Sequence, residues 1–392
     1  MPEEAAIRRC FSLLETIKPR DQTVEKLRSA RRRALAALLL FTLLSPSAHA
    51  QGPLYARPTD RFGVALESDF GLITDYDVAS LHVSWYSDYA ASLNPLRPGG
   101  IEYAQLIWVG SGWFSPSLDQ LGPMVDANPG ALWMVGNEPE CIHQGNSTPE
   151  QYAVIYHDLY TFIKARDSTA QVAIGGVVQP TPLRLEWLDG VLNHYQTTYG
   201  ESMPVDVWNI HNQIVQELKG GWGGDIPAGL TATEGRLYGI EDNDNIEIFR
   251  QHIVDFRTWM RDRGEQDKPL IISEIGVLFP EEYGFPPERV NAFMDASFDY
   301  LLVARDPELG YPGDENRLVQ RWMWYSLNDQ PWDPDTGEGF NGALYDYRYP
   351  EYPGVITSMG IHFREYTDAL FVHLLYLPMV TKNETSLHSG DL

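Results

Sequence analysis

Two stretches constrain the fold of this chain more than any others: Ala131-Leu-Trp-Met-Val-Gly-Asn-Glu-Pro-Glu140 and Pro269-Leu-Ile-Ile-Ser-Glu-Ile-Gly276. Each is a short apolar run without a helical period, and each ends abruptly in a carboxylate. A short apolar run bounded by turn signals reads as a strand buried on both faces. Such strands belong to parallel sheets covered by helices on either side. Charged residues are seldom fully buried without a partner, so Glu138 and Glu274 are expected at strand mouths that open on a cleft.

The pattern recurs along the chain. Residues 62–66, 81–85, 103–109, 131–136, 172–177, 205–210, 270–273 and 322–326 read as strands, and 149–165, 183–199, 245–263 and 287–304 carry helical patterns. Pro149 suits a first helical turn and Asn245 an N-cap. Eight strands alternating with helices predict an α/β fold, a (β/α)₈ TIM barrel in a single domain. Only Tyr86 to Glu102 separates the second and third strands, with Asn94-Pro95 and Arg97-Pro-Gly-Gly100 inside, so the second crossover is expected to be irregular. A long loop, residues 219–243, follows the sixth strand. An open doubly wound sheet is the alternative, but Gly220-Gly-Trp-Gly-Gly224 lacks the spacing and the preceding strand of a nucleotide fingerprint.

Arg31-Arg-Arg33, the apolar run from Ala34 to Leu44 and the small-x-small pair Ala48 and Ala50 form a secretory signal pattern, too short to span a bilayer. The expected organisation is therefore a signal peptide with an extended N-terminal region over residues 1–50, a barrel domain over 51–366, and an apolar then polar extension over 367–392. That extension either closes the barrel floor or stands apart from it. Residues 1–50 hold 9 of the 29 Lys and Arg and 5 of the 54 Asp and Glu, which leaves 20 basic against 49 acidic residues, a formal net of −29. So acidic a surface argues against nucleic acid, and against anionic membrane once the signal is removed. It suits a secreted monomer with a neutral substrate. Cys141 alone follows the cleavage pattern, so no disulfide framework is available and stability must come from the core.

In a barrel of this kind the active site forms at the carboxyl ends of the strands. The residues assigned there are Glu67, Trp85 with Tyr86 just after it, Trp108, Asn137 with Glu138, Gln179, His211, Glu274 and Trp324. Two carboxylates on different strands can serve as acid and nucleophile on one glycosidic bond. Indoles and phenols offer flat apolar faces with polar edges, which suit sugar rings. Glu140 and Glu67 compete for the acid role, although Glu140 reads better as a loop ion pair or a first-turn helix charge. The ten histidines are scattered, and no metal or other cofactor is expected.

Asn137-Glu138-Pro139 ending the fourth strand and Ser273-Glu274 ending the seventh resemble glycoside hydrolase clan A. The resemblance implies a retaining enzyme, with Glu138 as acid/base, Glu274 as nucleophile, Asn137 on the sugar 2-hydroxyl, His211 ordering the nucleophile and Trp324 as the sugar platform. Within the clan the layout is most similar to glycoside hydrolase family 128, whose members act on β-1,3-glucans. Ser84-Trp-Tyr86, the short second crossover, Leu106-Ile-Trp108 and the Asp206 to His211 spacing carry that similarity. The chain departs from the family in Gly136, where phenylalanine is usual, in Glu140, where aspartate is usual, and in the insert over 219–243.

The expected activity is thus that of a secreted retaining β-glycoside hydrolase acting on a poly- or oligosaccharide, of the endo-β-1,3-glucanase kind. A non-catalytic glycan-binding protein on the same barrel is the alternative, and a metal-dependent hydrolase a second one. Double displacement places the Glu138 and Glu274 carboxyl groups about 5–5.5 Å apart.

Overall fold

The computed structural model describes residues 54–348 and 354–375; the expected signal peptide and most of the polar tail lie outside the described residues. Strands β1 (Phe62–Ala65), β2 (Trp85–Ser87), β3 (Glu102–Tyr103), β4 (Gln105–Gly110), β5 (Trp113–Ser115), β6 (Leu132–Asn137), β7 (Gln171–Gly176), β8 (Trp208–His211), β9 (Leu270–Ile275) and β10 (Arg321–Trp324) make up two sheets. One runs in the order β3-β2-β1-β10-β9-β8 and the other β5-β4-β6-β7. Every pairing in them is parallel except the hairpin of β4 with β5. β3 and β4 are successive parts of one extended run, parted only at Ala104, and parallel bridges Ala173 to Val207 and Val177 to Ile210 link β7 to β8. The two sheets are therefore joined through the chain at β3 and β4 and bridged between β7 and β8.

Helices α1 (Leu118–Ala127), α2 (Pro149–Arg166), α3 (Pro182–Tyr199), α4 (Ile246–Asp262), α5 (Pro287–Val303) and α6 (Ser358–Leu375) lie between strands or close the series. The predicted N-cap forms, Asn245 Oδ1 accepting from Glu247 and Ile248, and Pro149 opens α2 behind Thr148, whose Oγ1 accepts the Gln151 N–H. Each satisfies donors that a helix start leaves without partners. Helix α1 and the β5 hairpin were not expected from the sequence. Helix α6 runs through the boundary placed at residue 366, and its Phe363 is buried against Phe62 and Phe298. No helix of the described residues is long and apolar enough to cross a membrane.

Side chains along each strand alternate between two apolar clusters, as the period of two demands. Phe62, Val64, Trp133, Val135, Ile210, Ile272, Trp322 and Trp324 join the larger cluster, which includes residues of the helices. Trp85, Leu106, Met134, Ala173, Val207, Ile271 and Met323 form the other, enclosed between the sheets. Gly63 makes room there, since a Cβ on it would lie 2.5 Å from the Trp85 indole nitrogen.

This alternation corrects four assignments. The second strand begins at Trp85 instead of ending there, because Val78–Leu81 is a 3₁₀ turn capped by Asp77. Trp85 is accordingly fully buried between the sheets, under the Arg321 guanidinium at 4.6 Å. Tyr86 points the other way, packs on Tyr103 at 5.1 Å and donates to the Leu96 carbonyl. Trp324 is core: it has no exposure, meets Phe298 edge-on at 5.9 Å and donates Nε1–H to the Gly342 carbonyl. Gln179 is buried too, its amide giving and taking hydrogen bonds with the Val215 backbone at 2.9 and 3.0 Å.

Truncating a fully buried indole removes its burial and leaves a cavity. Trp324→Ala should therefore cost about 3–5 kcal/mol of unfolding free energy in a urea titration. A loss under about 1 kcal/mol would place Trp324 outside the core.

Candidate active site

The chain turns sharply where β6 ends. Gly136 has φ +101° and Glu138 φ +41°. The first value is open to glycine, which accounts for the departure at position 136. The second is strained for a side chain with a Cβ, at a cost of about 1–3 kcal/mol, and such strain persists where the surroundings enforce it. Here the Glu138 N–H donates to the Gly176 carbonyl, and the Glu138 carbonyl accepts from Cys141 and Gly145. Pro139 and the fully buried Glu140 follow. Glu140 pairs with Arg184 at 3.1 Å and accepts the Val178 N–H, which is the loop ion pair expected of it.

Strand β9 supplies the second carboxylate through an irregularity. Ile210 pairs with Ile272 and His211 with Glu274, while Trp322 pairs with Ile272 and Trp324 with Ile275. One extra residue is thus inserted at Ser273-Glu274. A bulge of this kind re-aims a side chain. Ile272 and Ile275 stay in the core, and Glu274 turns into the cleft.

Between the two glutamates stands the buried imidazole of His211. Its Nδ1 lies 3.0 Å from Glu138 Oε1 and 3.3 Å from Glu274 Oε2. The hydroxyl of Tyr89 donates to Glu274 Oε1 at 2.8 Å, and Gln213 Nε2 approaches Oε2 at 3.4 Å. Carboxylate oxygens of Glu138 and Glu274 and the His211 nitrogen all lie within 4.8 Å of one another. Burial pushes the Glu274 carboxyl up to about 7, with the Glu138 charge adding to the rise and His211 opposing it. For His211 burial acts downward, but Glu274 and Glu138 outweigh it and hold the imidazole above its ordinary range. The two carboxylates thus favour the protonated imidazole between them.

A cleft of about 930 Å³ opens over this group. Glu67, Trp108, Asn137, Glu138 and Glu274 line it as the sequence predicts, and His211 closes the space beneath the carboxylates. Trp85, Tyr86, Gln179 and Trp324 do not line it. Residues unforeseen in the sequence do: Tyr89, Gln213, Trp222, Phe279, Tyr283, Tyr325, Asp329, Trp332 and Phe340. Alternation continued past His211 points to Gln213, and a one-residue shift of the last strand points to Tyr325; the loop residues had no periodic signal. Tyr325 donates to Asp329 at 2.6 Å and its oxygen is 3.3 Å from Glu67. Burial, with the charges of Asp329 and Glu274, pushes Glu67 up to about 7, and the Tyr325 hydroxyl opposes that rise.

Glu138, His211 and Glu274 are also the one group among the described residues with three ligand atoms close enough for a metal ion. The acidic turn at Asp242 to Asn245 is engaged otherwise: Asp242 accepts the Gly239 N–H, and Asp244 pairs with Arg289.

No protein-family model matches the chain, and no curated protein matches its sequence. Solved structures do. A subgroup I endo-β-1,3-glucanase of glycoside hydrolase family 128 from Amycolatopsis mediterranei, crystallised with laminarihexaose, aligns at a TM-score of 0.50 and 15% identity, over 78% of this chain and 98% of its own. This chain has that protein's fold. A subgroup II endo-β-1,3-glucanase from Pseudomonas viridiflava aligns at 0.49 and 17% identity, over 78% of this chain and 96% of its own. A subgroup III curdlan-specific exo-β-1,3-glucanase from Blastomyces gilchristii, in complex with glucose, gives 0.49 and 17%, over 78% and 97%. The structural neighbours are thus members of the family that the strand-end motifs resemble.

A carboxyl held near 7 stays protonated in the native state while the unfolded chain ionises from its ordinary value of 4.5 upward. The contribution of Glu274 to stability is therefore present below pH 4.5 and lost as pH rises to 7. Glu274→Gln should raise the melting temperature at pH 8 more than at pH 4 in calorimetry. An equal change at both values would show that burial does not hold the carboxyl up.

Proposed function

We propose that this protein is a secreted retaining β-glycoside hydrolase that cleaves β-1,3-glucan internally, on a (β/α)₈ barrel, as a monomer and without a cofactor. One observation carries the reading: Glu138 and Glu274, at the ends of β6 and β9, present carboxylate oxygens within 4.8 Å of each other in an open cleft. Retaining pairs stand about 5–5.5 Å apart between carboxyl groups, and inverting pairs roughly 6.5–9.5 Å apart. The barrel is supported by the parallel strand order and the bridges between β7 and β8, and secretion by the signal pattern over residues 1–50. The β-1,3-glucan is supported by the motifs shared with family 128.

In the first step Glu274 attacks the anomeric carbon as the glycosidic bond breaks, and Glu138 passes its proton to the leaving oxygen. In the second, Glu138 takes a proton from water, the water oxygen bonds to the anomeric carbon, and the bond to Glu274 breaks. In the reactive form Glu138 carries the proton that it gives up and Glu274 is ionised. Protonation of Glu138 removes one of the charges that hold Glu274 up, so the two changes favour each other. His211, Tyr89 and Gln213 surround Glu274 with donors that stabilise its ionised form and fix its position. Asn137, partly open to the cleft, is placed to meet the sugar hydroxyl beside the reacting carbon.

The three-ligand group favours a second reading, metal-assisted hydrolysis by Glu138, His211 and Glu274. It would require a His211 Nδ1 free of its proton, whereas both carboxylates stand where they accept one. Activity lost to a chelator and restored by a divalent ion would establish that reading in place of the first.

Reducing ends should appear when laminarin is added, and proton NMR should show the β-anomer first. Glu138→Gln and Glu274→Gln should each lower kcat at least a thousandfold with the fold retained. Azide should restore turnover with a β-product for Glu138→Ala and an α-product for Glu274→Ala. Full activity in either glutamine variant, or an α-anomer as the first product of the unaltered enzyme, would overturn the double displacement.

A further inference from the structure

Four aromatic rings from three separate loops form a continuous series along the cleft. Trp222 belongs to the insert after β8, Phe279 and Tyr283 to the loop after β9, and Trp332 to the loop after β10. Trp222 meets Phe279 edge-on at 5.4 Å, Phe279 lies 5.9 Å from Tyr283, and Tyr283 meets Trp332 edge-on at 5.8 Å. All four line the same space as Glu138 and Glu274.

Rings that merely stabilise loops are packed away from water, whereas of these four Trp222, Phe279 and Trp332 are half-buried and Tyr283 is exposed. Tyr283 is 49% exposed, and Phe340, which meets Tyr325 edge-on farther along the β10 loop, is 44% exposed. Monomeric proteins seldom expose contiguous apolar surface of this kind unless a ligand covers it. The series is continuous with the catalytic carboxylates, Phe279 being only five residues beyond Glu274. Its occupant is therefore the molecule that reaches those carboxylates.

We infer that Trp222, Phe279, Tyr283 and Trp332 form a binding wall for the sugar residues on one side of the scissile bond, stacking on the apolar C–H faces of a neutral β-linked oligosaccharide. This rests on the glycosidase reading and extends it, because it makes affinity depend on chain length. The cleft supports a neutral chain as the occupant: Glu67, Asp69, Asp329, Glu138 and Glu274 line it, and no Lys or Arg does. A uronate or sulfated chain would bring negative charge against these carboxylates in a space of low dielectric. Trp222 comes from the insert that separates this chain from the family pattern, so the wall is a property of this chain's own loops.

The test measures calorimetric affinity for laminarihexaose and laminaribiose in the Glu138→Gln protein, with cellohexaose and cellobiose as a second neutral pair. The hexaose should bind at least tenfold more tightly than the biose of the same linkage. Trp222→Ala and Tyr283→Ala should each reduce that ratio at least fivefold, and Trp222→Tyr should keep most of it. Tyr283→Ala is at an exposed position, which protects the test if Trp222→Ala fails to fold. Unchanged ratios in both alanine variants would overturn the wall while leaving the glycosidase reading intact. A parent that binds neither pair would overturn the wall as well, and turnover of laminarin by the unaltered enzyme then decides the glycosidase reading separately.

Discussion

Two glutamates, Glu274 buried and Glu138 half-buried, lie within 4.8 Å of each other and repel, and a single imidazole between them makes the arrangement tolerable. Much of the local structure serves that contact. Gly176 has no side chain because a Cβ there would stand 2.5 Å from His211 Cδ2. The irregularity in β9 exists where Glu274 must face the imidazole while Ile272 and Ile275 remain in the core. The positive φ of Glu138 brings its carboxyl to the same nitrogen, and the Gly176 carbonyl on β7 helps to hold it there. Strain and desolvation are tolerated at this point because the strands around it are fixed by packing on both faces.

A second buried cluster holds the cleft's shape. Arg184 on α3 has no exposure and gathers Glu140, Glu217 and the carbonyl of Gly224 around one guanidinium. Glu140 belongs to the turn that carries Glu138, and Gly224 to the insert that carries Trp222. The Ala228 N–H adds a direct bond from the insert to the Glu140 carbonyl. Charges so deep contribute little net stability, because desolvation offsets their attraction. What they supply is geometry: the wall of the cleft and the turn bearing one carboxylate share a single anchor.

The apolar runs ending in Glu138 and Glu274 declare themselves in the sequence, because a strand buried on both faces needs continuous apolar residues and a carboxylate cannot follow it into the core. The helix starts marked by Pro149 and Asn245 are equally legible, since first-turn proline and capping are local chemistry. Asn137, Trp108, Glu67 and His211 follow from their places at strand ends. These features are one-dimensional, and the chain alone determined them.

Tertiary structure decided the rest. A shift of one residue turns a strand's whole side-chain set to the opposite face, which is why Trp324 lies in the core and Tyr325 in the cleft. Trp85 and Tyr86 moved for the same reason, once a capped 3₁₀ turn displaced the start of β2. Gln179 looked available and instead clamps the Val215 backbone, a partner 36 residues away. The aromatic lining of the cleft comes from loops, where no period relates sequence to direction. Residues such as Tyr89, Trp222 and Tyr283 acquire their roles only when distant segments are brought together, and packing between segments, unlike capping or alternation, leaves no mark in the local order of the chain.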